Sequence, residues 1–484
     1  MNQTLDGNKN VFWHYYFNLK SRLPLLFLLG LTIFLISSPF VKAQSHKRNN
    51  FKSTNANARD TINVKELGAK GDGISNDYKA LKKATEIVND KGSGIILFPP
   101  GNYYLANYND SLHPALDLKF KNCSNVTVIG RKATINLNGR FNRSSASKHR
   151  KGFSFSDKNQ IIPFYFVQCK NVFISGIEID GNVDKMTRDK GVVEKGQGLI
   201  TVMGCDSVKI ENVFLHHSPS DGIYIGAGGN KLSRRVTIIR VRSFNNARQG
   251  LSITGLRDAH IYKCNFSYTG ITQGDYGFHR PTAGVDIEPH KLYDSIKTGN
   301  IYFEKDTFTN NLGGQFLCTQ PKLTSNITIN DCTFRGIDSF SRYQVILAAD
   351  SVILENSELK LGRGNVFPTW KATPGSNVRI INCVIESSLN GILSSSSDDR
   401  DSVFIMNNTF KFIGSTMTTY FPYLQTKNLV FLSNQVYIPS SAIKIKRYTS
   451  LVQHAILSKG NKFYSDQISI KPKVAYDKTR QVAD

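Results

Sequence analysis

VKIENVFL (208–215), IYFEKDTF (301–308), ITINDCTF (327–334), VILENSEL (352–359), VRIINCVI (378–385) and VFIMNNTF (403–410) are variants of one pattern. An apolar residue recurs at the first, third and last positions, and a small or polar residue recurs at the sixth. The last four of these segments start about 25 to 26 residues apart, which is a solenoid period. Apolar and polar residues alternate over short stretches within each unit, so each stretch reads as a strand with one face in and one face out. No unit has room for a helix. Stacked units of this kind form parallel sheets, and the expected fold is an all-β, single-stranded parallel β-helix, a solenoid. Asn212, Asn356, Asn382 and Asn407 fall at the bend of their units, where a left-handed backbone is expected and an amide can bond the coils above and below.

Three repeats are long: Val126 to Val172, Val172 to Val208, and Ala259 to Ile301. Insertions in a solenoid emerge as loops on one face, so these are expected to wall a groove in the N-terminal half. The segment DYKALKKATEIVN (77–89) is apolar at helical spacing, with Asp77 as candidate N-cap, and is expected to form an amphipathic capping helix over the first coil. The domain reading is a signal peptide at 1–43, a flexible linker at 44–59, the β-helix at 60–458, and a basic C-terminal tail or end cap at 459–484. Lys20 and Arg22, the apolar run Leu23 to Phe34, and Val41-Lys42-Ala43 before Gln44 suit a cleavable leader; an uncleaved anchor is the alternative. The expected location is therefore secreted or periplasmic, with no stable membrane insertion of the mature chain.

Formal charge is +24, of which the leader supplies a net +3, leaving about +21 on the mature chain. Such an excess favours a polyanionic partner. Export and the scattered placement of Lys and Arg argue against nucleic acid, so an acidic polysaccharide or oligosaccharide is expected. Cys264, Cys332 and Cys383 share one repeat position, but Asp306 and Ser357 occupy it in the coils between. Two coils at about 4.8 Å each exceed disulfide range, so most of the seven cysteines read as free thiols facing the core.

The stretch INVKELGAKGDGISNDYKALKKATEIVNDKGSGIILFPPGNYYL (62–105) resembles the opening module of the pectate lyase superfamily, in its rhamnogalacturonase and epimerase-like branch. GAKGDG and FPPGNYYL carry that resemblance, and the coil pattern extends it to about Ile438. The resemblance implies a right-handed parallel β-helix and a carbohydrate substrate, but the fold hosts lyases, hydrolases, epimerases and depolymerases alike.

GVDIEPHK (284–291) is the sharpest chemical feature. If Val285 and Ile287 point inward, Asp286 and Glu288 share the outward face, about 6.6 Å apart along the strand. That spacing is at the lower edge of the range for inverting glycoside hydrolysis, with one carboxyl as acid and the other as base. The pair resembles the acidic i, i+2 pairs of β-helical glycanases such as iota-carrageenases. The chemistry requires no cofactor; calcium bound by the pair, or a pair neutralised by surface cations, are the competing readings. Neighbouring coils offer Asp221, Tyr224, Arg248, Gln249, Gln320 and Lys322 as substrate-binding residues, with Arg248 and Lys322 as clamps for a uronate or sulfate. His290 and Lys291 complete the expected site.

Glu288-Pro289-His290 is also similar to the Asp-Pro-His motif of alginate C5-epimerases, although Val285 stands where that family has a functional Tyr. The motif falls about two coils later than the shared IDGN turn (179–182) implies. For a lyase, Arg248, Lys291 or calcium would neutralise the uronate, and Tyr224 or His290 would take the proton. Polygalacturonase motifs are missing. His216-His217 and His279 lack ligand spacing for zinc and read as loop residues. A polysaccharide hydrolase leads, followed by a lyase or epimerase, and then by a glycan-binding adhesin without turnover.

Overall fold

The computed structural model describes residues 61–475 apart from 107–115, 138–139, 142–160, 186, 189–197, 273, 275–276, 279, 337–341, 370–373, 395, 397, 416–419, 443–449, 466–467 and 470–473. The expected leader and linker (1–59), much of the loops in the first two long repeats, and His279 lie outside the described residues. None of the helices among the described residues is long and apolar enough to cross a membrane.

Short strands stack coil upon coil into a 29-stranded sheet and a nine-stranded sheet, with parallel pairing almost throughout. The register follows the repeat read from the sequence. Val126, Val172, Val208 and Val236 are successive partners, as are Ala259, Ile301, Ile327, Val352, Val378 and Val403. Such a pile of parallel strands is a parallel β-helix. Each inward position meets its equivalent on the next coil, so Phe266, Phe308 and Phe334 form one column with ring centroids 5.9 and 4.7 Å apart. Each such ring pair adds about 0.5–1.5 kcal/mol beyond its burial.

Asn212, Asn356, Asn382 and Asn407 all take the left-handed backbone conformation, with φ of 51 to 57°. Asn bears this conformation at lower cost than most residues. The Asn356 amide donates to Asn330 at 2.8 Å, and that of Asn382 to Asn356 at 3.3 Å. All seven cysteines are free and buried. The column that holds three of them is a ladder of side chains accepting from the preceding coil: Asp306 from the Cys264 N–H, Ser357 from that of Cys332, and Asn408 from that of Cys383. Asn434 continues the ladder, accepting from the Asn408 N–H and amide and donating to the Ile405 carbonyl and to Asn461. Because Asn434 is fully buried, Asn434→Ala orphans several of these groups at once. We expect a loss of about 2–4 kcal/mol, read as a lowered thermal midpoint.

A helix runs from Tyr78 to Lys91 and buries Ala80, Leu81, Ala84, Thr85 and Val88 against strands Gly94–Phe98 and Leu116–Lys121. Asp77 precedes it, but its carboxylate makes no bond to the helix. Asp77 is the N-cap residue by position, as expected, while its carboxylate accepts from the N–H groups of Lys70, Gly71 and Tyr104 and clasps the GAKGDG loop. At the other end, coils continue past residue 459. Lys462–Ser465 pairs in parallel with Gln435–Tyr437, and Ile468–Ser469 folds back on it antiparallel.

Candidate active site

The nine-stranded sheet carries strand Ala283–Ile287, which holds the first half of GVDIEPHK. Val285 and Ile287 are fully buried in the core, which turns Asp286 to the opposite face of its strand. Strand register sets Tyr224 beside Ser252, Ser252 beside Asp286, and Asp286 beside Leu317. The N–H of Glu288 donates to the Ile253 carbonyl at 3.0 Å. The strand ends at Ile287, and Glu288 follows it directly, near enough for its charge to act on Asp286. Glu288 is half-buried, whereas Asp286 is 4% exposed.

That burial, reinforced by the charge of Glu288, pushes the Asp286 carboxyl up to about 8 against the opposing pull of Arg248. Gln249, itself fully buried, donates its amide to Asp286. A carboxyl group held protonated near neutral pH beside a second carboxyl is the arrangement that acid catalysis requires. The Tyr224 hydroxyl shares a 2.8 Å hydrogen bond with Thr254, and burial raises its phenol above the ordinary value.

Several expected site residues are placed otherwise. Arg248 bonds Asp221 at 2.9 Å; Asp221 is fully buried and Arg248 nearly so. Arg248 is therefore committed to a neighbouring carboxylate rather than set as a clamp in a groove, and Asp221 is out of reach of a sugar. Gln320 and Lys322 do not extend the row, because their strand ends at Cys318 and both lie in the turn that follows. The row continues instead through Leu317 to Ile346 and Phe367, which pack as a small apolar cluster. Alternation in GQFLC already points to Leu317, since Phe316 and Cys318 are inward. His290 and Lys291 are exposed beyond the strand, and the Lys291 ammonium lies 5.2 Å from the Tyr293 ring centroid.

Cations do gather elsewhere on these coils. A cavity is lined by Lys170, Lys231 and Arg234 together with Gln168, Asp206 and Tyr293. Tyr293 lies near enough to Tyr224 to push its phenol up further. Nothing in the sequence periodicity announces this cavity, because Tyr293 reaches it on the long third insertion. Calcium takes six to eight oxygen ligands; Asp286 and Glu288 offer two carboxylates, and the next, Asp221, is held by Arg248.

The family model described as rhamnogalacturonase A/epimerase, pectate lyase-like, matches residues 61–358. The chain is 24% identical over 261 residues to mannuronan C5-epimerase AlgE1 of Azotobacter vinelandii, a match covering 50% of this chain and 17% of that one. The chain spans well under half the length of the curated relatives it matches. Among solved structures, the AlgE4 epimerase A-module of A. vinelandii superposes with a TM-score of 0.51 at 14% identity, covering 88% of this chain and 100% of that one. A tailspike protein of E. coli bacteriophage HK620, solved with a pentasaccharide, gives 0.53 at 12% identity, covering 87% and 76%.

Proposed function

The chain belongs to the rhamnogalacturonase A/epimerase, pectate lyase-like family of right-handed parallel β-helix proteins, and from that premise we propose that it is a carbohydrate-active enzyme that cleaves an acidic polysaccharide over Asp286 and Glu288. The supporting observation is the pair itself, one carboxyl held protonated by burial next to a second, more exposed one. Asp286 gives its proton to the leaving glycosidic oxygen. Glu288 acts as base and draws a proton from an attacking water, and the bond is hydrolysed. Tyr224 and Ser252 line the approach, Gln249 orients Asp286, and His290 and Lys291 border the exposed side.

A second reading rests on the relatives named as mannuronan C5-epimerases. Here Glu288 or Tyr224 removes the proton next to a uronate carboxylate, and Asp286 returns one, by elimination or by inversion at C5. The acid groups of the substrate are met in either case by the Lys170, Lys231 and Arg234 cavity. Arg234→Ala should therefore raise KM about tenfold and leave kcat within about twofold, as removal of uniform binding does.

The chemistry is decided by incubating the protein with a panel of acidic polysaccharides while following reducing ends and unsaturated-uronate absorbance. Reducing ends alone support the leading reading, both signals together support elimination, and inversion of uronate without either supports epimerisation. Binding without any of the three would leave a glycan-binding β-helix and reject catalysis. We place this action outside the cytoplasm, on the leader read from the sequence.

A further inference from the structure

Asp180, His216 and His217 were not joined by any sequence spacing, because the carboxylate comes from the preceding coil. Asp180 closes strand Lys170–Asp180, His216 closes strand Phe214–His216, and register makes them direct partners. His216 is thus a strand residue, not the loop residue expected, and the Phe244 ring stacks on it at 4.9 Å from the next coil. His217 follows in the left-handed conformation, at φ 50°. Three ligand atoms converge: His216 Nδ1 and His217 Nδ1 are 2.7 Å apart, and Asp180 Oδ1 is 3.5 and 3.4 Å from them. It is the one such convergence of three metal-ligating side chains among the described residues.

The outer nitrogens explain why this convergence calls for a cation. His216 Nε2 lies 3.0 Å from Glu178 Oε1, and His217 Nε2 lies 3.6 Å from Asp184 Oδ2. Where the ring nitrogen facing a carboxylate carries the hydrogen, as the 3.0 Å contact of His216 with Glu178 favours, a neutral imidazole leaves Nδ1 with its lone pair. With both rings in that tautomer, two lone pairs and a carboxylate oxygen point at one another, an arrangement that is repulsive until a positive charge sits among them. Four-coordinate metal–ligand bonds of about 2.0–2.1 Å place ligand atoms about 3.3 Å apart, close to the two Asp180 separations, so only the 2.7 Å pair must open. Carboxylates on the outer nitrogens are also the usual second shell of metal-bound histidines. Imidazole donors favour zinc-class metals over calcium.

We propose that Asp180, His216 and His217 form a binding site for a divalent first-row transition cation of the zinc class, with a further coordination position open to solvent. The His217 and Asp180 side chains are 27% and 25% exposed, so a cation has a route in. The site is separate from the Asp286 pair and stands whether or not the proposed cleavage does.

The test uses the full chain, stripped with a chelator and titrated with Zn2+ and with Co2+. We expect one saturating equivalent, a tetrahedral-type cobalt spectrum, a rise in thermal midpoint, and shifts in two histidine ring Nδ1 resonances of the unmodified protein. Asp180→Asn and His217→Gln should each weaken binding at least about 100-fold, and Glu178→Gln about tenfold. The resonance shifts need no variant, so they report even if a substitution unfolds the coil. Asn245 Nδ2, 3.3 Å from His217 Nε2, suits the rival arrangement, in which His217 Nδ1 keeps a proton and donates it to Asp180 or His216. Failure to bind either ion saturably would establish that rival and overturn the proposal. So would binding that both Asp180→Asn and His217→Gln leave unchanged.

Discussion

Asp286→Asn should lower the rate of polysaccharide cleavage by about 10²- to 10⁴-fold while the protein stays folded. The amide keeps the shape of the side chain and its place beside Gln249, but it has no acidic proton to give to a leaving oxygen. It also removes a group whose burial is unfavourable when charged, so the variant should be at least as stable as the parent near pH 8. Folded Asp286 holds its proton up to about 8, whereas the ordinary carboxyl releases it near 3.8. This contribution to stability is full below about pH 4 and is lost as pH rises to about 8. Glu288→Gln should be as damaging to turnover, for lack of the base, and should in addition lower the Asp286 pKa, because a neighbouring negative charge disappears. Initial rates of reducing-end release, measured with both purified variants, check the expectation. Rates within twofold of the parent in both would reject the assignment.

Arg248→Met should cost about 3–5 kcal/mol of folding stability, the largest stability effect we expect of any single change in the site. Asp221 is fully buried, and its carboxylate is ion-paired with the guanidinium 2.9 Å away. Removing one partner leaves the other as a buried charge, which costs more than the ion pair contributes. Arg248 also opposes the rise of the Asp286 pKa, so its loss should move that group further above 8. Thermal unfolding reads the first effect, and the basic side of the rate profile reads the second. Substituting both members, Arg248→Met with Asp221→Leu, should recover much of the stability, since apolar replacements of a buried pair are often neutral. A purely local surface role for Arg248 would instead give a loss within about 0.5 kcal/mol.

The coils were legible because their signal is local. Val208, Ile301, Ile327, Val352, Val378 and Val403 carry the pattern on their own strands, and strand pairing lines them up. The outward placement of Asp286 follows from the same alternation at Val285 and Ile287. What alternation does not contain is the length of each strand and the path of each turn. Gln320 and Lys322 were placed in the trough by counting on a strand that in fact stops at Cys318. Arg248 and Asp221 lie 27 residues apart, on successive coils, and their ion pair joins the segment before one strand to the first residue of strand Asp221–Gly226. Asp180 and His216 meet for the same kind of reason: 36 residues, including a long insertion, separate two positions that register makes neighbours. Sequence spacing thus finds the ligands of one strand, while a solenoid assembles its sites across strands.

The most direct test of the central claim is the pH dependence of kcat/KM for cleavage, followed from about pH 5 to about pH 10 with a polysaccharide the protein turns over. If a protonated Asp286 supplies the proton, the rate declines above a limb near pH 8, and Arg248→Met carries that limb upward. A rate that holds steady or climbs through this interval would mean that the proton donor is some other group.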